Sequence, residues 1–198
     1  MTLNGVIAAA VEVEKFCRDQ KWRYCIIGGI AVQRWGKPRF TQDVDLTLLT
    51  DLGSEEAFID ALLNRFIGRT TNARRFAIEN RVLLLRTSSG VDLDFCLGAF
   101  PYEEACVGRA SPWKGANRIS LTTCSAEDLV IHKVFSGRDR DWGDVDSILS
   151  RQFPQFELEL VRRELPPLLD LKGDSESLMR FNRLVETVKA KLQPGPNE

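Results

Sequence analysis

Two aspartates separated by one residue, Asp43 and Asp45, have the types and spacing to do chemistry. They lie in the run DVDLTLL, whose alternation is typical of a β-strand with both carboxylates on one face and Val44, Leu46 and Leu48 on the other. Two ionised carboxylates this close repel each other, and aspartate is disfavoured in strands. A divalent cation removes the conflict, and Mg²⁺ prefers carboxylate, water and phosphate oxygens. The spacing therefore predicts metal-assisted phosphoryl transfer, in which two ions hold the attacking and leaving oxygens.

A glycine pair precedes this strand. Gly28-Gly29 follows the apolar run Tyr24 to Ile27, which suits a buried strand, and Ile30 to Trp35 has the length of about two helical turns. Glycine lets a phosphate approach the backbone closely, and the N-terminus of a helix favours an anion. A structural alternative, a tight turn beside a surface aspartate pair, explains either motif alone. Their succession on adjacent predicted strands favours a phosphate-binding site.

A second pair of aspartates lies on a neighbouring predicted strand. The segments Arg81 to Arg86 and Val91 to Leu97 are typical of a hairpin around Ser88-Ser89-Gly90. Alternation in the second segment places Asp92 and Asp94 on one face and apolar side chains on the other. Either aspartate can supply a third carboxylate, and the alternation does not separate them.

The glycine pair followed by D-x-D resembles the nucleotidyltransferase superfamily with the DNA polymerase β-like fold. That pattern is a strand ending in Gly-Gly or Gly-Ser, a short helix, and a strand carrying D-x-D or D-x-E. Gly28 to Ala31 and the motif R-x-T-x-D-x-D from Arg39 to Asp45 look most like the AbiEii-type toxins and their uncharacterised bacterial relatives. The resemblance implies that NTP is bound by Gly28, Gly29, Arg39 and Thr41, and that two Mg²⁺ ions are bound by Asp43, Asp45 and Asp94.

Two further runs carry the same resemblance. Asp94 to Glu103 looks like the relatives' D-x-x-L-G-x-x-P-[FY]-E, which favours Asp94 over Asp92 as the third carboxylate, a metal ligand or base. The relatives also carry E-D-L-x-x-x-K, then R-x-x-D and another Asp, which correspond here to Glu127-Asp128-Leu129, Lys133, Arg138, Asp141 and Asp144. The resemblance implies that Lys133 is a catalytic cation that contacts the triphosphate. For Arg138 and Asp141 a purely structural ion pair is an equal alternative.

The helices and strands predicted around these residues indicate an α/β (α+β) fold. It consists of a small mixed sheet flanked by helices, followed by a helical C-terminal region. We expect a nucleotidyltransferase core over residues 1–124 and a helical region packed on it over 125–198. Apolar periodicity and capping residues predict helices over Asn4 to Asp19, Ser54 to Asn64, Tyr102 to Arg109, from Ser125 onward, Gln155 to Asp170 and Ser175 to Leu192. Arg118 to Thr123 is predicted as a short strand, and Pro166-Pro167 is expected to break or kink its helix. The Pro-Gly-Pro-Asn tail is expected to fray.

Composition narrows the function classes. The chain has 198 residues, a net charge of −1 and one histidine, which argues against Ser-His-Asp, Cys-His and His-rich zinc chemistry. Five cysteines without a C-x-x-C motif favour reduced thiols in the cytoplasm. No signal peptide is evident, and the apolar runs are too short to span a membrane. A group of arginines is either a solvated face or a surface for triphosphate or RNA: Arg65, Arg69, Arg74, Arg75, Arg81 and Arg86.

These patterns favour a metal-dependent nucleotidyltransferase that transfers NMP from NTP to an acceptor hydroxyl. The resemblance implies a toxin, with a tRNA 3′ end or a protein as the acceptor and an antitoxin as a partner. One alternative is an enzyme that modifies a small molecule such as an aminoglycoside or lincosamide. Another is a catalytically silent NTP- or RNA-binding protein. Spacing does not identify the nucleotide or the acceptor.

Overall fold

A computed structural model describes residues 3–115 and 119–192 and divides the chain into two compact units. The first comprises the chain up to Ala31 and from Arg39 to Ser125, and the second comprises Val32–Pro38 and the chain from Ala126. The division assigns Val32–Pro38 to the second unit. The domain boundary expected between residues 124 and 125 stays a prediction. Within the described residues no helix is both long and apolar enough to cross a membrane.

The first unit, in its described part, contains a sheet of seven strands in the order β3-β4-β5-β2-β1-β7-β6. The strands are β1 Tyr24–Ile26, β2 Asp43–Leu49, β3 Ile67–Gly68, β4 Val82–Arg86, β5 Asp92–Gly98, β6 Ser111–Lys114 and β7 Ser120–Thr123. Pairs β2–β5 and β1–β7 are parallel, whereas β1–β2, β3–β4, β4–β5 and β6–β7 are antiparallel. The mixed sheet with helices confirms the predicted fold class. Of the predicted strand from Arg118, residue 118 itself lies outside the described residues.

Helices of the first unit cover the sheet. They are α1 Leu3–Asp19, α3 Glu55–Arg65, α4 Ala73–Asn80 and α5 Pro101–Arg109. Helix α2, Gly28–Trp35, begins in this unit and continues into the second. The alternate residues of β2 and β5 that were expected to be apolar and inward are fully buried, among them Leu46 and Phe95. Burial of each such side chain stabilises the fold by about 1.5–3 kcal/mol. Because side chains alternate along a strand, burying these residues also determines which side chains face away from the core.

Buried Glu14 ties α1 to the sheet. One of its carboxylate oxygens accepts hydrogen bonds from the Tyr24 hydroxyl at 3.0 Å, from the Thr122 backbone N–H at 3.1 Å and from the Thr122 hydroxyl at 2.8 Å. A carboxylate is buried at acceptable cost only when such donors surround it. Helix α1 is therefore held by polar contacts with β1 and β7 in addition to its apolar face.

The second unit is helical from Ala126 onward, with α6 Ala126–Ser136, α7 Asp139–Gln152, α8 Leu158–Lys172 and α9 Ser175–Leu192. A 3-10 turn, Phe153–Gln155, precedes α8. Helix α8 continues through Pro166 and Pro167 without a break. Each proline leaves the carbonyl four residues earlier without its usual donor, but Arg162 and Arg163 are exposed, so water can serve those carbonyls.

Candidate nucleotide and metal site

Four carboxylates of the described strands share one face of the sheet. Because β2 and β5 are parallel and in register, Asp43 lies beside Asp92 and Asp45 lies beside Asp94. All four residues are partly buried, and the residues that alternate with them, such as Val44, point into the core. Paired residues on neighbouring strands point to the same face. The sheet thus brings together the two aspartate pairs that the sequence placed on separate strands.

Gly28 lies directly against one of these carboxylates. It is the first residue of α2 and has a φ of +62°, a conformation that glycine adopts freely. A Cβ atom at Gly28 would lie 1.8 Å from Oδ2 of Asp45. The Ile27 N–H also donates to the Asp45 carbonyl at 2.9 Å. The glycine therefore gives the Asp45 carboxylate its space, and the start of α2 is fixed beside it.

Gly29 plays a similar part for Asp43 through Thr41. A Cβ atom at Gly29 would lie 2.2 Å from Oγ1 of buried Thr41. That hydroxyl donates a hydrogen bond of 2.8 Å to Oδ1 of Asp43. Thr41, expected from the resemblance to contact nucleotide, orients a predicted metal ligand in the structure. Arg39, predicted to bind nucleotide, donates to the carbonyl of Phe40 at 3.1 Å.

Asp92 and Asp94 have different surroundings, although alternation made them equivalent. Asp92 accepts from Nε of Arg86 at 2.5 Å and from Nη1 of Arg69 at 2.9 Å. The hydrogen bond from Arg86, with the positive charge of Arg69, holds the pKa of Asp92 below its ordinary value, although burial opposes this. Asp94 also accepts from Arg69, through Nη2. Burial nevertheless raises the pKa of Asp94, and the nearby carboxylates of Asp43 and Asp92 act in the same direction.

The donor set fits Mg²⁺ by its chemistry. Carboxylate oxygens are the protein ligands that this ion prefers. Because Gly28 has no side chain, the Asp45 carboxylate can lie directly against the backbone. Among residues 3–115 and 119–192, no three acidic, histidine or cysteine side chains are grouped as a ready-made metal site. Oδ1 of Asp94 accepts a hydrogen bond from Arg69. A cation that used Asp43, Asp45 and Asp94 together would have to replace that bond.

Lys133, the predicted catalytic cation, lies in α6 of the second unit and is buried. Its Nζ is 3.0 Å from Oδ1 of Asp141 and 2.9 Å from Oδ2 of Asp144. Arg138, whose side chain is 58% exposed, also pairs with Asp141 at 2.6 Å. Although burial acts in the opposite direction, the hydrogen bonds from Arg138 and Lys133 hold the pKa of Asp141 below its ordinary value. The structure thus joins the residues of the second resemblance in one ion-pair cluster, and the contact of Lys133 with triphosphate stays a prediction.

The arginine-rich passage is occupied by ion pairs within the first unit. Its pairs are Arg65–Glu12, Arg69 with Asp92 and Asp94, Arg74 with Glu56 and Asp60, Arg75–Glu79, Arg81–Glu55 and Arg86–Asp92. These contacts favour the structural alternative over a surface for RNA or triphosphate. Arg69 and Arg86 differ from the others in position, because both reach the carboxylate face: Arg86 pairs with Asp92, and Arg69 pairs with both Asp92 and Asp94. The sequence alone did not predict the position of Arg69, because Arg69 is placed there by the pairing of β3 with β4, which is not a local feature.

No protein-family model and no curated protein matches the chain. Solved structures do. An antigenic nucleotidyltransferase-like protein from Paracoccidioides brasiliensis superposes with a TM-score of 0.55 at 14% identity, covering 94% of each chain. The antibiotic-resistance factor ANT(2'')-Ia superposes with a TM-score of 0.52 at 16% identity, covering 92% of this chain and 99% of its own. The chain therefore has a nucleotidyltransferase-like fold.

Proposed function

We propose that this protein is a metal-dependent nucleotidyltransferase that transfers NMP from an NTP to an acceptor hydroxyl. The observation that carries the proposal is the parallel register of β2 and β5, which places Asp45 beside Asp94, with Asp43 on the same face. The close approach of Asp45 to Gly28 adds a backbone turn at which a phosphate can lie near these carboxylates. Carboxylates beside a glycine turn at a helix start suit phosphoryl chemistry better than a purely structural role.

Each residue of the carboxylate face has a proposed task. Asp43 and Asp45 would hold two Mg²⁺ ions, and Asp94 would complete the second site. When bound, Mg²⁺ supplies neutralisation of phosphate charge and alignment of the attacking and leaving oxygens. Asp94 is also the proposed acceptor for the proton of the attacking hydroxyl, because it lies beside the proposed metal ligand Asp45 and a positioned carboxylate can act as a general base. Thr41 keeps Asp43 in place through its hydrogen bond.

The nucleotide would lie with its triphosphate over Gly28-Gly29. The N–H groups at the start of α2 favour an anion there. Arg39 and, on the evidence of the resemblance, Lys133 are proposed as further contacts of the nucleotide. The acceptor oxygen then attacks the α-phosphorus, the bond to pyrophosphate breaks, and the proton passes to Asp94. The chain's own contribution is mainly positioning, since it forms no covalent bond with the substrate.

The acceptor is proposed from the R-x-T-x-D-x-D motif ending at Asp45, which is similar to that of the AbiEii-type toxins. On this basis the protein is a toxin that modifies a tRNA 3′ end or a protein, with a cognate antitoxin. Five cysteines without a C-x-x-C motif suit the reducing cytoplasm that such a protein would occupy.

A small-molecule acceptor is the second candidate. The specific observation in its favour is that the superposition on ANT(2'')-Ia includes 99% of that antibiotic-resistance factor. An enzyme of this kind would transfer NMP to a drug hydroxyl and leave RNA and protein unlabelled.

Transfer of labelled nucleotide tests the proposal and separates the acceptors. The protein is incubated with each α-³²P NTP, Mg²⁺, and either total bacterial RNA, lysate protein or a panel of aminoglycosides and lincosamides. The double variant Asp43→Ala/Asp45→Ala should lose all transfer, whereas Asp92→Asn, on the same face, should retain it. Label on RNA or protein supports the toxin, and label on a drug supports the second candidate. Binding of NTP without transfer to any acceptor contradicts the enzyme and leaves a silent binding protein.

A further inference from the structure

We infer that Arg69 is the internal counter-cation of the carboxylate face. Its guanidinium forms an ion pair with Asp94 while no divalent cation is bound, and this ion pair breaks when a divalent cation binds Asp94. The inference rests on the proposed function, because it takes Asp94 as a metal ligand. It adds a residue that neither the motifs nor the resemblance assigns, and it gives that residue a measurable effect on metal affinity.

The contacts of Arg69 place it at this position. It follows β3, its backbone N–H donates to the Leu84 carbonyl at 3.0 Å, and its side chain is only 22% exposed. Nη1 donates to Oδ2 of Asp92 at 2.9 Å and Nη2 donates to Oδ1 of Asp94. Within the described part of the chain, its Nε is buried without a hydrogen-bond partner. A planar guanidinium can bridge two carboxylates in this way, whereas an ammonium group cannot match the geometry.

The two carboxylates that Arg69 bridges are not equivalent. Asp92 pairs with a second arginine, Arg86, as well as with Arg69. Asp94 is crowded by the negative charges of Asp43 and Asp92 and has Arg69 as its cationic contact. A divalent cation at Asp43, Asp45 and Asp94 would bring twice the charge of the guanidinium to the same oxygens. Arg69 can therefore give up Asp94 and remain anchored by Asp92.

Competition of this kind lowers metal affinity. Removing Arg69 frees the Asp94 oxygens and leaves the carboxylates mutually repelling, so a divalent cation should bind more tightly. A partly exposed ion pair of this type corresponds to a change of roughly fivefold in affinity. We therefore expect Arg69→Gln to lower the Kd for Mn²⁺ by about fivefold and Arg69→Lys to have a smaller effect in the same direction.

Arg86 offers a matched control. Arg86→Gln removes the same charge from the neighbouring strand and also breaks a bond to Asp92, but Arg86 makes its ion pair with Asp92 and not with Asp94. Its side chain is 51% exposed, so its field at Asp94 is screened by water. If Arg69 acts by occupying Asp94, Arg86→Gln should leave the Kd for Mn²⁺ within about twofold of the wild type.

The experiment is a titration with Mn²⁺, followed by the electron paramagnetic resonance signal of the unbound ion, on the full chain without nucleotide. Tighter binding by Arg69→Gln, with little change in Arg86→Gln, supports the inference. Equal shifts in both variants, or an unchanged or weaker affinity in Arg69→Gln, overturn it. Thermal unfolding checks that Arg69→Gln is folded, and Mn²⁺ should raise its Tm more than it raises that of the wild type. If Arg69→Gln does not fold, Arg69→Lys decides the question by the same comparison.

Asp45→Asn separates this inference from the proposed function. Binding of Mn²⁺ that is lost in Asp45→Asn but unaffected by Arg69→Gln contradicts only the role of Arg69. Binding that survives Asp45→Asn, or that is absent from both the wild type and Arg69→Gln, contradicts the metal site of the proposed function and the inference with it.

Discussion

Substitution of Gly28 by alanine tests the geometry of the site most directly. Alanine at a φ of +62° is in the left-handed region, which costs about 1–2 kcal/mol of folding free energy. The new Cβ would also lie 1.8 Å from Oδ2 and 2.5 Å from Cγ of Asp45, so the side chain or the backbone must move. Forced displacement of this kind costs about a further 1–3 kcal/mol. Because Asp45 is a proposed metal ligand, a shift of about 1 Å should also reduce nucleotidyl transfer by roughly 100-fold.

Gly90 is a matched control for the conformational part of this cost. It has a φ of +87°, and a Cβ atom built there meets no atom within 4 Å. Gly90→Ala should therefore lose only about 1–2 kcal/mol and keep full transfer activity. In the Asp45→Gly background, which removes the obstructing side chain, Gly28→Ala should cost no more than Gly90→Ala does.

The assay is urea unfolding followed by circular dichroism, with label transfer measured on the same preparations. The free energies of unfolding of the two alanine variants are compared with each other, so errors of extrapolation largely cancel. Equal destabilisation by Gly28→Ala and Gly90→Ala, with transfer intact in both, would refute the close approach of Gly28 to Asp45.

Three further predictions concern single side chains. Asp94→Asn should lower the transfer rate by about 100-fold or more at saturating Mg²⁺, whereas Asp92→Asn should lower it by less than about tenfold. A larger loss of rate in Asp92→Asn than in Asp94→Asn would make Asp92 the third carboxylate. Thr41→Val should reduce transfer by about tenfold through loss of one hydrogen bond, and Thr41→Ser should restore it; failure of the serine variant would point to packing instead. Asp141 has a lowered pKa in the folded protein, so its stabilising effect should be present above the unfolded pKa of about 3.9 and lost as the pH falls through the folded value. The difference in Tm between the wild type and Asp141→Asn should therefore be constant near neutral pH and narrow below about pH 4, and a difference independent of pH would contradict the ion pair with Lys133.

Alternation along single strands was enough to predict which aspartates share a face. The residues of β2 and β5 that face the core are buried as the apolar pattern required. The pattern did not predict that β2 and β5 are parallel neighbours in register, because this pairing joins residues about 50 positions apart through contacts that no local window contains. The four-carboxylate face is thus a property of the tertiary structure, built from two local signals.

The contacts of individual side chains could not be predicted from the sequence either, because they also join residues far apart in the chain. Arg69 was one of several arginines in a charged passage, and its role depends on the short β3. Lys133 was predicted as a cation on a helix facing the triphosphate, and its carboxylate partners were not predicted because they lie on the next helix, α7. Helix α2 begins at Gly28, two residues before the predicted start at Ile30, which is an ordinary difference for a helix boundary.

The two outer strands of the sheet bear on how the protein behaves at high concentration. At one edge β3 has only two residues, Ile67–Gly68, and at the other β6 includes Pro112, which has no N–H, and ends at Lys114. An open sheet with long regular edges is a template for further strands and hence for aggregation. Neither of these outer strands offers such a template, so the described sheet is poorly suited to grow from chain to chain by edge pairing.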